Sequence, residues 1–191
     1  MKTPEPNLLL LILFTAFLFL MAPRARSTVL TRLSLRQLVS AAHSIVVAQA
    51  VSNQPVWHAG EIWTLTTFRV LQTWKGQARQ KVEVWMLGGE AGRIVSYVPG
   101  APRFRAGEQA VLFLEPMRDG EISITAWGEG TFRIFHDAAT GRERVTQDTA
   151  LAPEFLTPGP PQPQDGIRDW PLEKFKARVL ERVGGEARRK K

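Results

Sequence analysis

Three histidines, His43, His58 and His136, are the first side chains that metal or acid–base chemistry would recruit. A zinc site needs three or four nitrogen, sulfur or carboxylate ligands held at short, characteristic spacings. Neither HxxxH nor HExxH occurs, and the chain has no cysteine to complete a set. The histidines are therefore expected at the surface or in structural roles. Ser34, Ser40, Ser44, Ser52, Ser96 and Ser123 include no GxSxG elbow that would lift a hydroxyl into a nucleophile's position. The acids fall mostly in turns or on polar strand faces, with no identifiable acid/base couple. The sequence thus nominates no catalytic residue, no metal and no cofactor.

The glycine cluster Gly88-Gly89-Glu90-Ala91-Gly92 poses a sharper question, because glycine-rich loops cradle phosphates. Such a loop works only when a helix comes immediately after it and its first N–H groups face the anion. The next residues are instead "RIVSYV", a β-rich run, and neither the GxGxxG nor the GxxxxGK[ST] spacing occurs. The cluster is read as a connection between strands, where glycine supplies positive φ.

Tryptophan is the least ordinary feature: there are six in 191 residues. Trp57, Trp63, Trp74, Trp85 and Trp127 fall in the β-rich body. Trp85 has the parity of Glu83, opposite Val82, Val84 and Met86, which points it outward. Aromatic side chains on an exposed β face hold sugars, bases or peptides; in a core they simply fill volume or cover barrel ends. Trp57, Trp63 and Trp85, with Arg103 and Arg105, make up the candidate binding surface.

The elements that must position these residues begin after an apolar leader. Leu8–Leu20 reads LLLLILFTAFLFL, preceded by Lys2 and followed by small residues at Ala25 and Ser27. That layout is a secretory signal (residues 1–27) with a cut between Ser27 and Thr28. The alternative is an uncleaved anchor through residues 8–22, since Arg24 and Arg26 resist translocation; a run this short is marginal for spanning. The expected location is periplasmic or secreted, or else membrane-anchored. Absence of cysteine excludes a disulfide framework, so an exported chain must rely on its core.

Formal charge is +7, but it is unevenly placed. From Thr28 to Ile167 thirteen basic residues balance thirteen acidic ones, whereas Arg168–Lys191 carries nine against four. A neutral body argues against a nucleic-acid groove.

"LSLRQLVSAAH" (Leu33–His43) places Leu35, Leu38, Val39 and Ala42 on one helical face, with Ser34 as cap. "SIVVAQAV" and "QAVLFLEP" are apolar on both parities, which suits central strands buried on both sides. In "EIWTLTTFRVLQTWKG", Trp63 and Leu65 differ in parity from Phe68 and Val70, so a bulge is expected near Thr66 or Thr67. "KVEVWML", "EISITAW" and "TFRIF" alternate, and "DAATGRERV" closes a hairpin at Gly141. Together these give six to eight strands. The expected fold is mainly β: a small OB-like barrel over residues 28–150, with a short N-terminal helix. Residues 151–170, rich in proline, read as a linker. Residues 171–191 read as a basic amphipathic helix and tail. Its stripe is Leu172, Phe175, Val179 and Val183, and Gly184-Gly185 is its stop.

The order of motifs "LVSAAHSIVVAQAV", "TTFRVLQTWKGQ", "VEVWMLGGEAG", "VPGAPRFRAGEQAVLFLEP" and "GEGTFRIFHDAATGRERV" resembles a family of uncharacterised exported bacterial proteins. That family is marked by ADxVVxGxV, VxxxLKG, GGxxGG, GxPxFxxGExVLLFL and GxxQGxF in turn. The resemblance spans about Leu33 to Val145 and is most specific at GxPxFxxGE. His43, Trp74 and Arg93 depart from the family's aspartate, leucine and second paired glycine. The opening strand and VxxxLKG stretch are also weakly similar to the netrin-like and tissue-inhibitor-of-metalloproteinase OB-barrels. Those inhibitors chelate zinc through an N-terminal cysteine, which this chain lacks. The resemblance implies a fold and export, and no activity.

The leading expectation is an exported, non-enzymatic β-barrel module that binds an envelope protein or glycan. One alternative is a hydrolase-type enzyme whose site converges only in three dimensions. The other is a structural or docking protein acting through its C-terminal helix. For that helix, Lys174, Lys176, Arg178 and Arg182 suit an anionic membrane surface or an acidic partner.

Overall fold

The two runs apolar on both parities become neighbours at the centre of one antiparallel sheet. β1 (Ser44–His58) pairs with β6 (Gln109–Pro116) through Ile45↔Phe113, Val46↔Leu112 and Val47↔Val111. Ile45, Val47, Val111 and Phe113 enter one core cluster; Val46, Ala48, Ala110, Leu112 and Leu114 enter another on the opposite face. A strand covered on both sides has no solvent face to mark with polar residues.

The computed structural model describes residues 33–117, 119–138, 140–150 and 166–189. The signal segment with its Ser27/Thr28 cut, and residues 151–165 of the proline-rich stretch, lie outside the described residues. Besides β1 and β6 the elements are α1 (Leu35–Ala41), β2 (Glu61–Lys75), β3 (Lys81–Leu87), β4 (Gly89–Ala91) and β5 (Ile94–Ser96). They continue with β7 (Ile122–Ile124), β8 (Thr131–His136), β9 (Glu143–Gln147), β10 (Trp170–Pro171) and α2 (Leu172–Arg189). The protein is mainly β, with one short helix near the start of the described chain and one at its end.

The main sheet runs β10-β9-β8-β6-β1-β2-β3, with β7 added to β6, while β4 and β5 form a separate hairpin. Among the described residues no backbone ladder joins β3 to β10 or to β7, so the sheet does not close into the expected barrel. α1 starts on a capping box, in which the Ser34 side chain accepts from the Gln37 N–H and the Gln37 side chain accepts from Ser34 N–H. Leu38 and Val39 on α1, with Leu172, Phe175 and Val179 on α2, cover the first core face. The second face is closed by the curl of β2 and β3 and by Phe104.

Four further sequence expectations need correction. The bulge lies on β1, where Ala50 pairs Phe68 and Ser52 pairs Thr67, leaving Val51 out. No bulge is needed at Thr66 or Thr67, because Ile62, Thr66 and Phe68 point inward in regular alternation and Trp63 and Leu65 face the other way. Two further shifts, on β2, leave Leu71 and Trp74 without partners in β1; the first flips parity and so turns Trp74 toward the helix-covered core.

Second, the expected linker ends early. Gln147 N–H donates to the Ile167 carbonyl at 2.7 Å, and Trp170 pairs with Val145, so residues 166–171 belong to the packed body. Third, α2 does not stop at Gly184-Gly185 but runs to Arg189. Two helical glycines cost about 1 kcal/mol each relative to alanine. The ion pair of Glu186 with Lys75 on β2, at 3.1 Å, holds the extra turn to the sheet. "EISITAW" is likewise cut short: after Ile124 the chain turns through Ala126 and Trp127, both at positive φ, into a 3-10 turn at Trp127–Gly130. There a Cβ on Gly130 would lie 2.1 Å from the Thr125 carbonyl oxygen. No side chain but hydrogen fits that approach.

Candidate functional site

The hairpin of β1 and β2 runs beyond the body, and its end carries the candidate aromatic residues. Strand pairing decides which of them share a face. Val56 faces Trp63, His58 faces Glu61, and Leu65 faces Trp85, so His58, Trp63 and Trp85 lie on one side. Their rings meet edge to face: His58–Trp63 at 6.4 Å, His58–Trp85 at 5.9 Å and Trp63–Trp85 at 6.4 Å. Such pairs add about 0.5–1.5 kcal/mol beyond area burial. The Trp63 indole N–H is enclosed there without an acceptor among the described residues.

Trp57 is not part of that group. It pairs with Ile62, whose parity is the inward one, and so lies on the opposite side of the hairpin. The glycine cluster shapes this end of the sheet. Gly88 N–H donates to the Ile62 carbonyl at 2.7 Å, and the Thr64 hydroxyl donates to the Gly88 carbonyl at 2.7 Å. Gly88 and Gly89 both hold positive φ, and a Cβ on Gly89 would fall 2.3 Å from Thr64 Oγ1. The cluster folds β4 against the tip and turns at Gly92 into β5, so a strand comes next and not a helix.

The small β4–β5 hairpin leaves its apolar residues uncovered. Trp57 is 57% exposed, Ile94 53%, Val95 63% and Tyr97 66%, at the same end of the sheet. Arg103 steadies the hairpin by donating from Nη2 to the Ser96 carbonyl at 2.7 Å, with its guanidinium 6.0 Å from the Tyr97 ring centre. Arg105 is exposed, and its carbonyl accepts from Glu108 N–H at 3.1 Å. The five sequence-nominated residues therefore divide: Trp63 with Trp85, Trp57 on the other side of the tip, and Arg103 against Tyr97, with Arg105 at the surface. Sequence reasoning missed His58, Ile94, Val95 and Tyr97. The available signal was "RIVSYV", whose apolar residues are too many for a three-residue strand to bury.

The stretch GxPxFxxGE serves structure instead. Phe104 is buried edge-on against Phe68 at 4.9 Å, and Asn53 donates to its carbonyl at 2.7 Å. Glu108 accepts from Arg133 at 2.6 Å, and Arg133 donates on to the Arg103 carbonyl at 2.7 Å. Asp148 accepts from two guanidinium nitrogens of the same arginine, at 2.6 and 3.2 Å. The Arg133 guanidinium lies 4.9 Å over the Phe104 ring. Burial alone would lower its pKa, but Asp148 and Glu108 outweigh that and raise it. Arg133 clasps the 97–108 segment onto the sheet.

Of the remaining tryptophans, Trp74 is buried against Phe175, Trp127 packs on the second core, and Trp170 lies under Lys174 Nζ at 4.6 Å. The basic residues of α2 are partly engaged within the chain. Besides the Lys174–Trp170 contact, Lys176 donates to Gln72 Oε1 at 3.0 Å, while Arg178 and Arg182 lie 3.7 and 3.8 Å from Glu181. The stripe Leu172, Phe175 and Val179 is buried, and Val183 packs against it, so this face of the helix is used by the protein's own core. His43, His58 and His136 are exposed, and among the described residues no three metal-ligating side chains converge. No helix among the described residues is long and apolar enough to cross a membrane. The tip can offer apolar contact and ring stacking to a partner. Compared with known protein families and with curated proteins, the chain matches none.

Proposed function

We propose that this protein is an exported, non-enzymatic binding module of the cell envelope that holds its partner at the β1–β2 tip. The observation that carries the reading is the exposure of Trp57 at the β1–β2 tip and of Ile94, Val95 and Tyr97 on the β4–β5 hairpin, whose β4 lies against those strands. Large apolar side chains gathered on a surface signal a contact site, whereas single ones do not. Ile94 and Val95 favour a protein partner, because aliphatic branches contribute no stacking to a sugar ring. Arg103 adds the aromatic–arginine pairing common at interface centres. A glycan is the second reading, favoured by the partly buried Trp63 and Trp85 rings on the other side of the tip.

We infer an OB-like barrel order as well, with an unladdered seam between β3 and β7. Its support is the Ser123 hydroxyl, which donates to the Trp85 carbonyl at 2.9 Å across that seam.

The test is site-specific photocrosslinking in intact cells. A photoreactive residue at Trp57, Val95 or Tyr97 should give a discrete protein adduct from the envelope fraction, and one at exposed Arg142 should not. Identical adducts from both sets, or none from the tip, would refute the reading. Adducts confined to Trp63 and Trp85 and removed by glycosidase would transfer it to the glycan.

A further inference from the structure

At the end of the sheet opposite the tip, α1 and α2 line an open cleft of about 500 Å³. Its lining includes Arg36 and Ser40 from α1, and Arg178, Glu181, Arg182 and Glu186 from α2. We propose that this cleft is an anion site for the uncompensated phosphate of an anionic lipid headgroup. It is a different site from the tip and does not depend on the tip's partner.

Charge is the first argument. Glu186 is neutralised by Lys75 at 3.1 Å, and Lys75 also donates to the Val39 carbonyl at 2.6 Å. Glu181 stands between Arg178 and Arg182 at 3.7 and 3.8 Å, long contacts on an exposed surface that bind it weakly. Arg36 forms no ion pair with a described residue. Three guanidinia thus line the cleft with two carboxylates, one of which is already paired with Lys75 from β2. Guanidinium is the side chain whose fork matches phosphate oxygens two at a time.

Geometry is the second. Arg178 and Arg182 are one turn apart on α2, and Arg36 approaches from a different helix, so a phosphate would be gripped from two sides. The Ser40 hydroxyl, one turn beyond Arg36 on α1, can add a neutral donor. The packing of Leu38 and Val39 under Phe175 and Val179 fixes the two helices against each other, which preorganises the arginines.

Position along the chain is the third, and it selects lipid over soluble phosphate. α1 begins at Leu35, fifteen residues after Leu20 ends the apolar run. Where that run stays in the membrane as an anchor, a separation of only fifteen residues keeps α1 within reach of lipid headgroups. Past the cleft-lining turn α2 continues through Arg188 and Arg189, two further cations on the same helix. Anionic lipid attracts an arginine or lysine held at its surface by about fivefold in affinity, and one held away from it much less.

The experiment measures sedimentation of the full chain with vesicles of phosphatidylcholine, with and without phosphatidylglycerol. The readout is the extra affinity that the anionic lipid adds, so insertion of the apolar run cancels. Arg36→Gln should reduce that increment about fivefold, and Arg178→Gln with Arg182→Gln should reduce it further. Lys174→Gln with Lys176→Gln, on the same helix but outside the cleft, should leave it within about twofold, with circular dichroism unchanged in all variants. Equal losses from the lysine and arginine sets, or no increment in the parent protein, would overturn the proposal. Saturable binding of sodium phosphate to the cleft that matches the vesicle affinity would overturn the lipid source.

Discussion

Replacing Arg133 with methionine tests the idea that the 97–108 segment is held by one clasp. The side chain is 17% exposed and makes four hydrogen bonds to Asp148, Glu108 and the Arg103 carbonyl. Methionine preserves length and contact with Phe104 but removes the charge. Truncating one member of a well-buried ion pair costs about 3–5 kcal/mol, chiefly through the charge left behind. Asp148 is enclosed and keeps that penalty, while Glu108 is more than one-third exposed and regains water. The expected loss is therefore about 3 kcal/mol, the lower end of that range, with up to ~1 kcal/mol more from the lost cation–π contact. Urea unfolding with an unchanged slope should show it as a lower midpoint.

Asp148→Asn made in the Arg133→Met background should cost much less than it does alone, because the partner is already gone. Folding raises the Arg133 pKa, so its contribution is complete below the free guanidinium's pKa and is lost only above the folded one. The deficit of Arg133→Met should accordingly be the same at neutral and mildly alkaline pH. A loss under about 1 kcal/mol, or strict additivity with Asp148→Asn, would refute the clasp.

Phe175→Ala should lower stability by about 3–5 kcal/mol, since the ring is fully buried 4.6 Å from Phe132; thermal unfolding would reveal the shift. Gly184→Ala should raise stability by about 0.5–1 kcal/mol, because the position is helical and a Cβ there meets nothing within 4 Å. A destabilised Gly184→Ala protein would mean that α2 ends before that residue in solution.

Much of this fold is written locally. The Ser34–Gln37 cap, the two-sided burial of "SIVVAQAV" and "QAVLFLEP", the hairpin at Gly141 and the stripe of α2 follow from spacing and residue type. Each depends on contacts within an element or on one face of it, which is the information a periodicity carries. The strand role of the Gly88–Gly92 cluster was legible for the same reason: a phosphate loop requires a helix next, and the next residues are β-branched.

The tertiary structure decided whatever depends on residues far apart in the chain. Parity could not tell that Trp63 and Leu65 face outward, because that depends on which side Phe68 finds its partner, Phe104. Nothing near Val51 announces the bulge there; it arises where β1 must pair with β2 and pass Gly107 and Glu108, whose N–H and carbonyl bond Ala50. Nothing local ties Glu108 or the Arg103 carbonyl to Arg133, which lies 25 residues beyond Glu108 and bonds both. The cleft between α1 and α2 unites Arg36 with Arg178 across more than a hundred residues. Local sequence determines the shape of each element, because backbone preference and face polarity act over a few residues. Only the packed sheet determines which elements meet, because burial and ion pairing depend on whatever the chain brings alongside.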